Sequence, residues 1–168
     1  MGAGKILSII AGIITLLSTF LLVWFTGTGI YTGLNAHGAG LAMNVLNMFQ
    51  NAAAYEIDMS IPIWAVYIIA VGAILFLIAG LFQLIGAKVK ALAIIGSLFP
   101  LALGVIVILG TFDVVPGMMD NLAFMLSDLE FVADVLPFDF PLASISIGTY
   151  GLLAGGLLGL ISGFMSRE

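Results

Sequence analysis

The chain has 168 residues, 62% of them hydrophobic and 8% charged, with a formal net charge of −5 and no cysteine. Soluble domains carry about 25% charged residues, so this composition, with a mean hydropathy of +1.29, excludes an ordinary soluble domain and points to the bilayer as solvent. Without cysteine there are no disulfides, no thiolate metal sites and no cysteine nucleophile.

Four apolar runs, at 6–25, 62–85, 91–112 and 145–164, contain no Asp, Glu, Lys, Arg or His. Each reaches the roughly 20 residues a helix needs to cross a hydrocarbon core. They are continuous and not alternating, which argues for helices and against a membrane barrel. The expected fold is therefore all-α: an integral membrane four-helix bundle forming a single domain over 1–168. The first run follows Lys5. It is too long for a signal peptide, and "VWFTGTG" lacks a small-x-small cleavage site, so it reads as a retained anchor.

The cations set the expected orientation. Lys5 precedes the first span, Lys88 and Lys90 sit between the second and third, and Arg167 follows the fourth. All four fall on one side, which the positive-inside rule assigns to the cytoplasm together with both termini. The loops 26–61 and 113–144 are then extracytoplasmic, and they hold every acidic residue except Glu168. "KILSIIAGIITL" also aligns with "KALAIIGSLFPL", Lys5 on Lys90 and Ile9 on Ile94. This suggests repeat halves 1–86 and 87–168 related by an axis along the membrane normal.

Each outer loop carries a helical pattern. In "GLAMNVLNMFQNAAAYE", Leu41, Val45, Met48, Phe49 and Ala52 share one side and Asn44, Asn47 and Asn51 another. In the second loop, Pro116 and Pro137 bracket a predicted amphipathic helix over 117–136. Its apolar face holds Met118, Leu122, Met125, Leu126, Leu129, Val132 and Leu136. Phe124 and Phe131 lie instead on the polar face, amid Asp120, Ser127, Asp128 and Asp134. Aromatic rings among carboxylates resemble an interface core with a charged rim, so Phe124 and Phe131 are the candidate partner contacts.

The spans offer only Ser, Thr, Tyr, Gln83 and the indoles as polar groups. Ion-coupled transporters, proton relays and voltage sensors need ionisable groups there, and haem-carrying spans need axial ligands. Pro100 reads as a static bend. His37 with Met43, Met48 and Met59 makes a soft donor set suited to Cu(I). Met48, Met118 and Met125, however, fall on the apolar faces, where methionine is packing material. The acidic loops show no EF-hand spacing, and "GTGIYTGLNAHGAG" lacks the Walker Lys-Ser/Thr. No catalytic, cofactor-binding or metal-binding residue is expected, and no nucleic acid partner.

"YGLLAGGLLGLISGFM" places Gly151, Gly155, Gly159 and Gly163 at four-residue spacing, in the manner of a glycine zipper. Glycine costs about 1 kcal/mol against alanine in an exposed helix. Between membrane helices, small residues let backbones approach and gain dispersion contacts. These four glycines are the expected helix-packing residues, within one chain or between chains.

The four-span plan resembles that of claudins and tetraspanins in topology alone, since the paired loop cysteines and Cys-Cys-Gly motif of those families are missing. The expected function is that of a non-enzymatic tetraspan protein, a structural or accessory subunit acting through lateral packing and outer-loop contacts. Its expected partners are the lipid bilayer and either its own copies or a larger membrane complex. Two alternatives are an oligomeric pore with an acidic outer vestibule and an accessory subunit of a membrane enzyme.

Overall fold

The computed structural model describes residues 2–27, 35–112, 114, 117–128, 137–142 and 145–166. The helices are α1 (Ala3–Phe20), α2 (Gly38–Gln50), α3 (Ala52–Met59), α4 (Ile63–Leu77), α5 (Ala79–Ile85), α6 (Lys90–Thr111), α7 (Met118–Leu126) and α8 (Ile147–Phe164). Two-residue strands join them: β1 (Phe25–Thr26), β2 (Asn35–Ala36), β3 (Ser127–Asp128), β4 (Pro141–Leu142) and β5 (Ile145–Ser146). The chain is thus mostly helical, with small antiparallel sheets β1-β2-β3 and β4-β5 that an all-α expectation leaves out.

Three helices, α1, α6 and α8, are long and apolar enough to cross a membrane, and a fourth span exists if α3 and α4 count as one. Those two meet at 106°. The corner is built locally. Ser60 takes the left-handed conformation with φ 52°, Pro62 precedes the first helical residue, and the Glu56 carboxylate accepts from Ile63 N at 3.1 Å. A carboxylate at a helix N-terminus satisfies an otherwise orphaned N–H and meets the positive end of the dipole.

Three expected boundaries move. The run 62–85 is two helices, α4 and α5, separated by Ile78 at φ −95° and ψ 1°. The first helix stops at Phe20, and the expected remainder of the span turns inward as Val23, Trp24 and Phe25, all fully buried. The helix predicted over 117–136 ends at Leu126, because Ser127 and Asp128 pair with Ala36 and Asn35. Periodicity could not foresee that strand pairing, which depends on a segment some ninety residues upstream. Phe131 lies outside the described residues.

Two cores of different chemistry result. In the first, α8 and α5 both pack against α1 and against α6, and the buried positions are small. They are Gly4, Ser8, Ala11, Gly12, Thr15, Ser18 and Thr19 on α1, Ala93, Gly96, Ser97 and Gly104 among those on α6, and mostly glycine on α8. Large apolar side chains such as Ile13, Leu98, Leu157 and Ile161 point outward. This inversion of the soluble pattern suits helices whose neighbours are lipid tails. It fits an integral membrane protein.

The second core is conventional. Trp24, Phe25, Leu41, Val45, Met48, Tyr55, Val66, Phe76 and Leu126 are buried together beneath α2, α3, α4 and α7. Leu41, Val45, Met48 and Ala52 face inward, as their spacing implies. Phe49, on the same predicted side, is 41% exposed and stacks on Tyr67 at 6.1 Å between ring centroids.

Candidate functional site

Helix α8 lies between α1 and α6, and its glycine ladder serves both. A β-carbon on Gly151 would run into the Ser18 hydroxyl, and one on Gly155 into Thr15, both on α1. One on Gly159 would meet Ser97 and lie 2.8 Å from Gln83 Nε2, and one on Gly163 would meet Ile94. The stripe therefore faces α1 in its first half and α5 and α6 in its second. The reason is geometric: rows at i±4 are inclined by about 26° to the helix axis, so four-residue spacing winds round the helix and does not run straight along it. Gly156 completes the fit, because a β-carbon there would be 2.9 Å from Leu101 N.

At the centre of this seam stands Gln83, fully buried on α5. Its Nε2 donates to Ser97 Oγ of α6 at 3.1 Å and to the Gly155 carbonyl of α8 at 3.2 Å. Ser97 Oγ in turn donates to the Ala93 carbonyl at 2.5 Å. The Gln83 carbonyl accepts from Ser8 Oγ of α1 at 2.6 Å. One residue thus ties α5 to α1, α6 and α8. Two acceptors around Nε2 fix the amide orientation, since turning it over would set Oε1 against the Gly155 carbonyl. Gln83 Oε1, Thr15 Oγ1 and Thr19 Oγ1 are buried without a hydrogen-bond partner among the described residues.

Trp24 joins the two cores. Its indole N–H donates to the Ser18 carbonyl at 2.7 Å, and its own carbonyl accepts from Thr149 Oγ1 at 2.7 Å. The ring meets Phe76 edge-on at 5.3 Å between centroids. The first turn of α8 is pinned to it, with Gly148 N donating to the Val23 carbonyl at 3.1 Å.

Phe124 is half-buried, its ring 5.2 Å from that of Tyr55. The first outer segment therefore covers a side chain that the sequence placed among exposed carboxylates. His37 caps α2, its Nδ1 accepting from Gly40 N at 3.2 Å, and Met48 is fully buried. Among the described residues no cluster of three His, Cys, Asp or Glu side chains is placed to hold a metal.

Two cavities stand out among the described residues. One, of about 580 Å³, runs between α4 and α6 and is lined by apolar side chains including Phe76, Phe99, Leu103, Leu122 and Met125. The other, of about 570 Å³, lies at the opposite end between α1 and α5. That end also gathers both described chain ends, since Gly4 N donates to the Ser166 carbonyl at 3.2 Å. Sequence reasoning identified Gln83 as a polar group within a span but not as the tie between helices. The signal available was its isolation, as the one carboxamide in the four apolar runs.

No family model matches the chain, and neither a curated protein nor a solved structure does.

Proposed function

We propose that the protein is a non-enzymatic integral membrane subunit, structural or accessory, that assembles laterally with copies of itself or with other membrane proteins. The observation that supports this reading is the outward face of α2 and α3, where Met43 is 55% exposed, Leu46 65% and Ile57 77%. The inward face of the same helices already fills the core with Leu41, Val45, Met48 and Tyr55. The outward side chains are therefore surplus to the subunit's own packing, and large apolar groups left in this way mark contact surfaces. The glycine-lined faces of α8 are occupied by helices of the same chain, which leaves lateral contact to these outer segments. In this reading the lysine-bearing end faces the cytoplasm.

Light scattering on protein purified in mild detergent tests the proposal. The expected result is an assembly larger than one subunit, reduced to the single subunit by Leu46→Asn combined with Ile57→Asn while the melting temperature holds. A lone subunit at every concentration, extracted without companions, overturns it. A ring of copies that conducts ions across a planar bilayer favours the pore instead.

A further inference from the structure

We propose that the crevice between α1 and α5 binds the phosphate headgroup of an anionic phospholipid. Its two ammonium groups come from Lys5 and Lys88, and its floor is Ile9, Leu84 and Ile85. The chemistry is two-part: cations at the mouth and apolar side chains beneath. A phosphodiester carrying acyl chains matches both parts, whereas a soluble phosphate matches only the first.

Three observations carry the assignment. First, neither lysine side chain has an ion pair or hydrogen bond among the described residues, and Lys5 is half-buried. Second, the described acidic residues Glu56, Asp58, Asp120, Asp128 and Asp139 all belong to the segments at the other end. Nothing described at this end neutralises the lysines, while Arg167 and Glu168 lie outside the described residues. Third, the wall is preformed. A β-carbon on Gly86 would be 2.6 Å from Ala93 N, so the turn after α5 already rests on the backbone of α6. Helix dipoles do not supply the attraction. Helices α1 and α6 begin at this end while α5 and α8 finish there, and opposite ends offset one another. The lysines carry the charge, and basic pockets between membrane helices are where anionic headgroups bind.

The site requires the helices to lie in a bilayer, and it does not depend on lateral assembly. Its test is native mass spectrometry of detergent-purified protein equilibrated with equal amounts of phosphatidylglycerol and phosphatidylcholine. The wild type should retain phosphatidylglycerol in excess, and Lys5→Gln with Lys88→Gln should lower that preference roughly tenfold. Lys88→Gln alone, at an exposed position, should move it in the same direction. Lys90→Gln removes one charge, as Lys88→Gln does, from a residue that does not line the crevice, and should leave the preference unchanged. No preference in the wild type, or equal loss in Lys88→Gln and Lys90→Gln, overturns the site. Inorganic phosphate protecting the protein from heat as well as phosphatidylglycerol does would make it a soluble-anion site and overturn the lipid. Failure to float with vesicles of any composition is a separate result, and it counts against the membrane reading itself.

Discussion

Gln83 Nε2 lies 3.2 Å from the Gly155 carbonyl, and it reaches that carbonyl past Gly159, whose missing β-carbon leaves the room. The amide and the glycine depend on each other. The side chain of Gln83 fills the space that Gly159 leaves open, where a β-carbon would lie 2.8 Å from Nε2. Hydrogen bonds between membrane helices average about 0.6 kcal/mol, and among the described residues Oε1 has no partner to lose. Gln83→Leu should therefore cost less than about 1 kcal/mol, because a shape-matched apolar group also removes the orphaned acceptor. Gln83→Glu should cost about 3 kcal/mol or more at neutral pH, since it buries a carboxylate against a carbonyl. Thermal melts of the two variants at neutral pH would display the difference.

The glycines of α8 should not be equivalent. Gly156→Ala sets its methyl against Leu101 N at 2.9 Å and Cα at 3.0 Å, and backbone cannot rotate away. Gly151→Ala meets only the Ser18 side chain, whose hydroxyl can turn. Melting of the two variants should rank Gly156→Ala as the more destabilising, by about 1–3 kcal/mol. Gly155→Leu with Gly159→Leu should abolish the packed form in a monomeric preparation. Equal stability of all these variants would refute the packing of α8 between α1 and α6.

The corner between α3 and α4 gives a third prediction. Glu56→Ala removes the acceptor for Ile63 N and should cost about 1 kcal/mol. Glu56→Gln should recover most of it, because the amide oxygen still accepts. Amide exchange at the start of α4 would report the change locally.

Phe124 provides a fourth. Its contact with Tyr55 places part of its surface within the subunit. Phe124→Ser should therefore destabilise the subunit by about 2 kcal/mol, toward the lower end for truncated aromatics because the ring is half-buried. Assembly lost without destabilisation would assign the ring to a partner instead.

Orientation is tested by cysteine labelling, for which the chain offers a cysteine-free background. Lys88→Cys, at an exposed position, is the inside probe. Ile57→Cys, at a position 77% exposed, is the outside one. In intact cells a membrane-impermeant maleimide should label Ile57→Cys and spare Lys88→Cys. The reverse pattern would invert the topology.

Legible in the chain alone are the stretches apolar enough to leave water, the recurrence of small residues along α8, and the shared face of Leu41, Val45 and Met48. These are local properties of composition and period, so a single helix suffices to express them. Where helices stop, and what the small residues touch, depends on contacts between distant parts of the chain. The second loop helix ends at Leu126 because β3 finds β2, and the first span ends at Phe20 because Trp24 is claimed by Ser18, Thr149 and Phe76. Gln83 looks in sequence like a single polar residue in an apolar run, yet it binds α6 and α8 through its amide and α1 through its carbonyl. Such ties depend on the mutual placement of helices far apart in the chain, and local periodicity carries no information about that distance.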